Sequence, residues 1–309
     1  MSILRKAVIE YLAIRRALGF KLEKGGQLLH QFAEFAEKQG ASFITRKLAL
    51  QWATEPNECQ PARWAIRLRV LRLFAEYQAA SDPRTEIPPP GLLPHSYRRR
   101  TPYIYTENDV ARLIKAAKRL PSPLGLRAET YSTFYGLLAV TGMRQSEARR
   151  LDRADVDLGE GILIVRETKF HKSRLVPVHV STRDALRRYA ILRDRTMMKP
   201  IAPSFFVSEC GKRLSHWNVE TTFATLRRRI GLQTSVGRQP RLHDLRHRFA
   251  TETLVRLYRA GKDVERHIAA LATYLGHADV ASTYWYLSAI PELLSLASRR
   301  VDREQEVTR

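Results

Sequence analysis

Cysteine is nearly absent from this chain, whose 309 residues contain only Cys59 and Cys210. The two are far apart in the sequence and form no CxxC pair, so the sequence offers neither a disulfide framework nor a zinc ribbon. Such sparse use of cysteine is typical of a reducing compartment. We therefore expect a cytoplasmic protein.

Long apolar runs are also missing. No stretch of about 18 consecutive apolar residues occurs, and a membrane-spanning helix needs roughly that length. The first residues are not followed by the apolar region of a secretory signal. The sequence shows no amphipathic anchor and no lipidation motif, so we expect no membrane partner.

Acidic residues are few relative to basic ones. The chain has 53 Lys and Arg against 31 Asp and Glu, which gives a net charge of +22. The excess is spread along the chain, with 17 against 9 in residues 1–100 and 36 against 22 in residues 101–309. A polyanion bound along the whole body fits this distribution better than a single basic tail does. We expect a nucleic acid as the partner.

Helical periodicity dominates residues 1–81 and predicts a small helical bundle. The predicted helices span residues 3–19, 26–39, about 46–54 and 61–80, and Thr45 is placed to cap the third of them. Four arginines lie on the last of these helices: Arg63, Arg67, Arg69 and Arg72. They suggest a stripe that faces DNA, although a solvated face would give the same pattern.

Proline clusters in residues 82–102, which hold six of the 15 prolines of the chain. Proline removes hydrogen-bond donors and stiffens the backbone, so this stretch is predicted to be a semi-rigid, extended linker. Three consecutive arginines, Arg98, Arg99 and Arg100, stand near its end. They can follow a phosphate backbone while the linker joins two domains.

From residue 103 onward the pattern predicts a larger, mainly α-helical domain with one small antiparallel β-sheet. The β runs 162–165 and 175–178 flank a lysine-bearing loop, as in a hairpin, and residues 156–158 can add a third strand. Thr106 is placed to cap the first helix. Further helices are predicted at residues 128–140, 144–151, 182–195, 216–230, 243–258, 264–275, 279–287 and 291–300. We divide the chain into a helical bundle (residues 1–81), a linker (82–102), a larger domain (103–290) and a C-terminal helix with its tail (291–309).

Arginine and histidine recur in the stretches that follow predicted turns. Arg144 opens a helix after Thr141-Gly142, and His243 and Arg246 are three residues apart, so they share a helix face. A guanidinium offers a planar fork that matches two phosphate oxygens. A histidine beside it can donate a hydrogen bond or carry a proton near neutral pH.

His243 and His247 are four residues apart, which resembles a pair of metal ligands. Arg246 lies between them and would oppose a divalent cation, and no glutamate occupies the HExxH position. We therefore expect neither a metal site nor another cofactor.

Tyr286 lies nine residues after His277. A free phenol has a pKa near 10, so it attacks phosphorus only if its proton is taken or the developing charge is stabilised. Two arginines, two histidines and a tyrosine together suit one task, which is to hold and attack a phosphodiester.

In order and separation, these residues resemble those of the tyrosine recombinases, the phage-integrase family. The matching stretches are residues 141–147, 168–169, 172–177, 243–246 and 275–277, with Tyr286. The resemblance covers residues 103–290 closely, whereas residues 1–81 resemble the helical DNA-binding domain of the family only in length, basicity and helix count. The fold it implies is mainly α with a small antiparallel sheet, in which an N-terminal helical bundle precedes a catalytic domain.

The resemblance also implies a role for each matching residue. Arg144 and Arg246 would clamp the scissile phosphate, Tyr286 would attack it, Lys169 would protonate the leaving 5′-oxygen, and His243 and His277 would assist. Tyr284 stands where the family usually has a small residue, so a second phenol lies nearby in the sequence. The family acts as a tetramer bound to double-stranded DNA, in which a segment at the position of residues 291–309 docks on a neighbouring protomer. Docking of this segment within its own chain stays open as the alternative, because helical periodicity does not distinguish the two. Other recombinases of the same mobile element are possible partners.

Three alternatives to a recombinase stay open at the level of the sequence. A type IB topoisomerase shares the chemistry, although Leu275-Gly276-His277 and the separate N-terminal helices argue against it. A DNA-binding relative without catalysis is opposed by the presence of all six catalytic residues. A metal-dependent nuclease is opposed by the lack of clustered acidic residues.

Overall fold

The computed structural model describes residues 2–94, 102–166, 173–197, 202–233, 239–276 and 283. The chain divides into two compact units, Met1–Arg100 and Thr101–Arg309. No helix within the described ranges is both long and apolar enough to cross a bilayer.

The first unit is a bundle of four helices. They are α1 (Ile3–Ala17), α2 (Glu23–Lys38), α3 (Arg46–Thr54) and α4 (Pro61–Gln78). Thr45 caps α3 as its sequence position predicts, because its hydroxyl accepts from the Leu48 amide at 3.1 Å. The apolar faces of the helices meet around Phe32, Trp52 and Phe74, all fully buried.

Arg67 does not belong to the predicted DNA-facing stripe of α4. Its side chain is buried, its guanidinium lies 4.0 Å from the centre of the Trp52 ring, and its Nη2 donates to the Trp52 carbonyl at 2.7 Å. Arg63 and Arg69 are exposed on the same helix. The stripe is therefore smaller than the sequence pattern predicts, because Arg67 packs against an aromatic ring inside the bundle.

The described part of the predicted linker, residues 82–94, lies against this bundle. The Glu86 amide donates to the Ile44 carbonyl at 2.8 Å, and its carboxylate accepts from the Arg46 amide at 2.6 Å. Thr85 is buried, and Leu93 packs on the core of the bundle. These contacts extend the first unit beyond its four helices.

The second unit contains seven described helices. They are α5 (Glu107–Ala117), α6 (Leu126–Thr141), α7 (Gln145–Arg150), α8 (Val180–Thr196), α9 (His216–Arg229), α10 (Asp244–Arg259) and α11 (Val264–Leu275). Thr106 begins α5 with a capping box shared with Asp109, which confirms the predicted cap. Helix α6 carries Phe134 and Tyr135 into the centre of the core. The predicted helices 279–287 and 291–300 lie outside the described residues, apart from Thr283.

A three-stranded antiparallel sheet lies beside these helices. Its strands are β1 (Val156–Asp157), β2 (Ile162–Val165) and β3 (Arg174–Pro177), in the order β1-β2-β3. Val165 pairs with Arg174 at the loop end of the β2–β3 hairpin, which confirms the predicted hairpin. Leu163, Val165 and Val176 fix the register because they point into the core. The loop between β2 and β3 carries Lys169 and lies outside the described residues.

Candidate active site

Three of the six predicted catalytic residues lie in the described part of the chain: Arg144, His243 and Arg246. Lys169, His277 and Tyr286 lie outside it. The three described residues come from the loop after α6 and from the start of α10. Their long-range partners lie at the C-terminal ends of α6 and α11.

Arg144 is held by both its backbone and its side chain. It stands at the N-cap of α7, where its amide donates to Glu147 Oε2 at 2.9 Å. Its Nη1 donates to Glu147 Oε1 at 2.8 Å, and its Nη2 donates to the Gly276 carbonyl at 3.0 Å. About a third of the side chain, 30%, stays exposed. The guanidinium is therefore fixed on one side and open on the other.

Arg246 is buried almost completely, with an exposed fraction of 2%. Its Nη1 donates to the Gly142 carbonyl at 2.9 Å, and its Nη2 donates to the Leu275 carbonyl at 2.7 Å. One guanidinium thus joins the end of α6 to the end of α11. Both acceptors are carbonyls at a helix C-terminus, where the helix leaves them without an internal partner and where a cation is favoured.

Glycine is required at both of these helix ends. Gly142 and Gly276 have φ angles of +61° and +67°, in the left-handed region. A β-carbon at Gly142 would lie 2.6 Å from the ring of Phe249, and one at Gly276 would lie 2.9 Å from a nitrogen of Arg174. The left-handed turns let the chain approach the arginines closely.

Arg174 is a third arginine in this network, and the sequence indicated no role for it. Its Nε donates to the Tyr274 carbonyl at 2.7 Å. Three consecutive carbonyls, those of Tyr274, Leu275 and Gly276, therefore each accept from a different guanidinium. Arg174 also donates to both carboxylate oxygens of Glu147, at 3.1 and 2.7 Å.

Glu147 is the carboxylate that Arg144 and Arg174 share. Burial alone would raise its pKa, but the hydrogen bonds and positive charges of the two arginines outweigh burial and lower the pKa to about 2. Glu147 is therefore a buried carboxylate that bridges two guanidinium groups.

His243 lies at the N-cap of α10, one residue before Asp244. Asp244 is buried and holds the preceding turn. Its carboxylate accepts hydrogen bonds from the backbone amide of Arg241 at 2.9 Å and from the Nη2 of Arg241 at 2.8 Å. His243 is exposed on one side, but partial desolvation of its ring by the surrounding protein, and then the positive charge of Arg246, lower the pKa of His243 to about 4. The imidazole is therefore neutral at pH 7.

The rings of His243 and His247 lie edge to face, with their centres 5.0 Å apart. Among the described residues, no group of three histidine, cysteine or acidic side chains is placed to hold a metal ion.

The pKa of His243 gives a testable pH dependence of stability. Between pH 6.5 and 4 the unfolded histidine binds a proton while the folded one does not, so the free energy of unfolding falls as the pH is lowered through this window. Because His243 is exposed, solvent screens this effect, and the contribution of His243 should amount to no more than about 1 kcal/mol across it. We expect urea denaturation of His243→Gln to show a shallower loss of stability between pH 6.5 and 4.5 than the wild type. Parallel curves for the two proteins would contradict the lowered pKa.

Comparison with known proteins places this geometry in a family. Residues 104–292 match the phage integrase family. The chain is 48% identical over 311 residues to y4rB of Sinorhizobium fredii (strain NBRC 101917 / NGR234), a protein with a provisional integrase/recombinase name, and the alignment covers 99% of each chain. It is 30% identical over 229 residues to the tyrosine recombinase XerC of Proteus mirabilis, covering 74% of this chain and 68% of that protein.

Solved structures show the same fold. XerA recombinase aligns with a TM-score of 0.51 and 25% identity, covering 96% of this chain and 97% of that one. The integrase of transposon Tn1549, in complex with transposon right end DNA, aligns with a TM-score of 0.67 and 16% identity, covering 98% and 99%.

The fold is that of a tyrosine recombinase, an enzyme that exchanges DNA strands. The chain belongs to the phage integrase family. The predicted family and the predicted fold class are both confirmed.

Proposed function

We propose that this protein is a site-specific recombinase that cleaves and rejoins double-stranded DNA through a 3′-phosphotyrosyl intermediate. The observation that carries the proposal is the placement of Arg144 and Arg246. Their guanidinium groups are bound to the adjacent carbonyls of Gly276 and Leu275, so two cations are held side by side before any substrate arrives. Such preorganised charge is what stabilises a phosphorane-like transition state.

The two arginines divide the work of holding the phosphate. Within the described residues, Arg144 uses two of its three guanidinium nitrogens, and its exposed side can reach a phosphate oxygen. Arg246 is buried, so its charge acts through a medium of low dielectric constant and is felt more strongly than it would be in water. Together they neutralise the charge that develops on phosphorus.

Proton transfer completes the proposed reaction. The oxygen of Tyr286 bonds to phosphorus and the bond from phosphorus to the 5′-oxygen breaks, so the phenol loses a proton and the leaving oxygen gains one. Neutral His243 can accept a hydrogen bond or a proton at one ring nitrogen and donate at the other. In the proposal His277 shares this task, and Lys169 protonates the 5′-oxygen.

Rejoining reverses these steps with a different 5′-hydroxyl as the attacking group. The phosphotyrosyl bond keeps the energy of the broken phosphodiester, so the proposed reaction needs neither a nucleotide nor a metal ion.

We further propose that the protein acts as a DNA-bound tetramer, with residues 1–81 as the core-binding domain, residues 82–102 as the linker and residues 291–309 docking between protomers.

Integration, excision or transposition of a mobile element is the proposed biological setting. One structural neighbour is a transposon integrase bound to transposon right end DNA, and another is lambda integrase bound to a COC′ core site. The net charge of +22, spread over both units, supports a DNA partner.

Covalent capture tests the proposal. The full-length protein is first used to select its site from a pool of random-sequence duplexes, and that site is then placed in a nicked suicide substrate in the presence of EDTA. We expect a protein–DNA adduct that survives SDS and carries the 3′-phosphate, with a free 5′-hydroxyl on the released fragment of the same strand. A requirement for Mg²⁺ would point to a nuclease, and plasmid relaxation without a preferred site would point to a type IB topoisomerase.

A further inference from the structure

The side chain of Arg174 connects three structural elements beside the proposed active site. Arg174 is the first residue of β3, where it pairs with Val165 across the hairpin. Its guanidinium donates to Glu147, which lies 27 residues earlier in the chain, and to the carbonyl of Tyr274, which lies 100 residues later. One side chain thus joins the sheet, α7 and the end of α11.

The hydrogen bonds of Arg174 leave it little capacity to hold a phosphate itself. Each of its three guanidinium nitrogens donates to a protein acceptor, and only 11% of the side chain is exposed. The side chain of Arg144, by contrast, is 30% exposed. The two arginines that share Glu147 therefore differ in what they can do, since only Arg144 is open to a substrate.

A second observation links Arg174 to Arg144 by another route. Arg174 packs directly against Gly276, where a β-carbon would lie 2.9 Å from its Nη1 and 3.2 Å from its Cζ. The carbonyl of Gly276 is the acceptor for Arg144 Nη2. Arg174 thus supports both partners of Arg144, the carboxylate of Glu147 and the turn at Gly276.

We propose that Arg174 is a positioning residue for strand cleavage, which fixes the guanidinium of Arg144 through Glu147 and through the turn that ends α11. The inference rests on the proposed function, because it assigns Arg174 a role in the same cleavage step. Arg174 acts through Arg144. Loss of the Arg174 side chain should therefore slow cleavage only while residue 144 is an arginine with a planar guanidinium to be positioned.

A double-mutant cycle on single-turnover cleavage tests this dependence with the selected, nicked DNA site. We expect Arg174→Gln to slow cleavage about 30-fold and Arg144→Lys about 100-fold, in the range found when one transition-state donor is lost. The double variant should cleave within about threefold of Arg144→Lys alone, because coupled residues are not additive. A product of the two single effects, about 3000-fold, would overturn the proposal, because a merely structural role affects both backgrounds equally.

Arg213→Gln is the matched control. Arg213 also donates to a carboxylate, that of Asp152 at 2.6 Å, and to a backbone carbonyl, that of Arg149 at 3.0 Å. It makes no bond to Glu147 or to α11, so its loss should change the cleavage rate by no more than about twofold.

Arg174→Lys keeps the proposal testable if Arg174→Gln does not fold. Lysine keeps the charge but cannot reach Glu147 and the Tyr274 carbonyl with one planar fork, so we expect a loss of about tenfold, again absent in the Arg144→Lys background. Wild-type rates for Arg174→Lys would overturn the proposal. If the wild-type protein forms no adduct, the proposed function fails and this inference fails with it; if it forms the adduct but the cycle is additive, only this inference fails.

Discussion

Replacing Tyr286 with phenylalanine should abolish the covalent protein–DNA adduct and leave DNA affinity unchanged within about twofold, since only one oxygen atom is lost. That oxygen is the atom that bonds to phosphorus in the proposed reaction. No rate should be measurable, because the arginines stabilise a transition state that can no longer form. Incubation with the nicked DNA site followed by SDS electrophoresis measures the adduct, and a gel shift of the same samples measures binding.

Tyr284→Phe is the control for this experiment. Tyr284 and Tyr286 both lie outside the described residues, so the choice between them rests on the nine-residue separation of Tyr286 from His277. Tyr284→Phe should still form the adduct. If Tyr284→Phe loses the adduct and Tyr286→Phe retains it, the nucleophile is Tyr284.

Local signals in the sequence were enough to predict most of the secondary structure. The Thr45 and Thr106 caps each combine a hydroxyl side chain with an apolar helical pattern, and both are confirmed. The β2–β3 hairpin followed from two short β runs around a polar loop, and its register is the one that buries Val165 and Val176. These features depend on residues that are close in sequence, which is why periodicity and turn chemistry reveal them.

Long-range contacts account for what the sequence could not predict. Arg67 shares a helix face with the buried Leu71 and Phe74, but arginine is usually a surface residue, and its burial here depends on Trp52, 15 residues earlier. Arg174 precedes a predicted strand in an ordinary pattern of charged and apolar residues. Its role depends on Glu147 and on the end of α11, which only the fold brings together.

Main-chain acceptors leave no trace in a sequence. Arg144, Arg174 and Arg246 are bound to the carbonyls of Gly276, Tyr274 and Leu275, and any residue type can supply a carbonyl. Gly142 and Gly276 could have indicated the site, because their left-handed conformations favour glycine. The resemblance to a family predicts a catalytic role for two of these arginines, whereas the structure shows how all three are held.

Arg246→Lys should reduce the rate of strand cleavage by about 100-fold to 1000-fold, the range found when one preorganised donor is removed from an active site. The substitution keeps the positive charge, so DNA affinity should change by no more than about threefold. The reason for the large effect is geometric. The guanidinium spans the Gly142 and Leu275 carbonyls, which lie at the ends of two different helices.

A lysine ammonium is a single point of charge and cannot hold both carbonyls while also facing a phosphate. At least one carbonyl would lose its partner in a buried site, which costs about 1–3 kcal/mol and shifts the remaining groups. Arg248→Lys is the matched control, because Arg248 lies on the same helix and donates to the Tyr105 carbonyl and to Glu252. Single-turnover cleavage of the selected site, with binding measured in parallel, compares the two variants. Equal rates for Arg246→Lys and Arg248→Lys would show that the fork of Arg246 does not take part in cleavage.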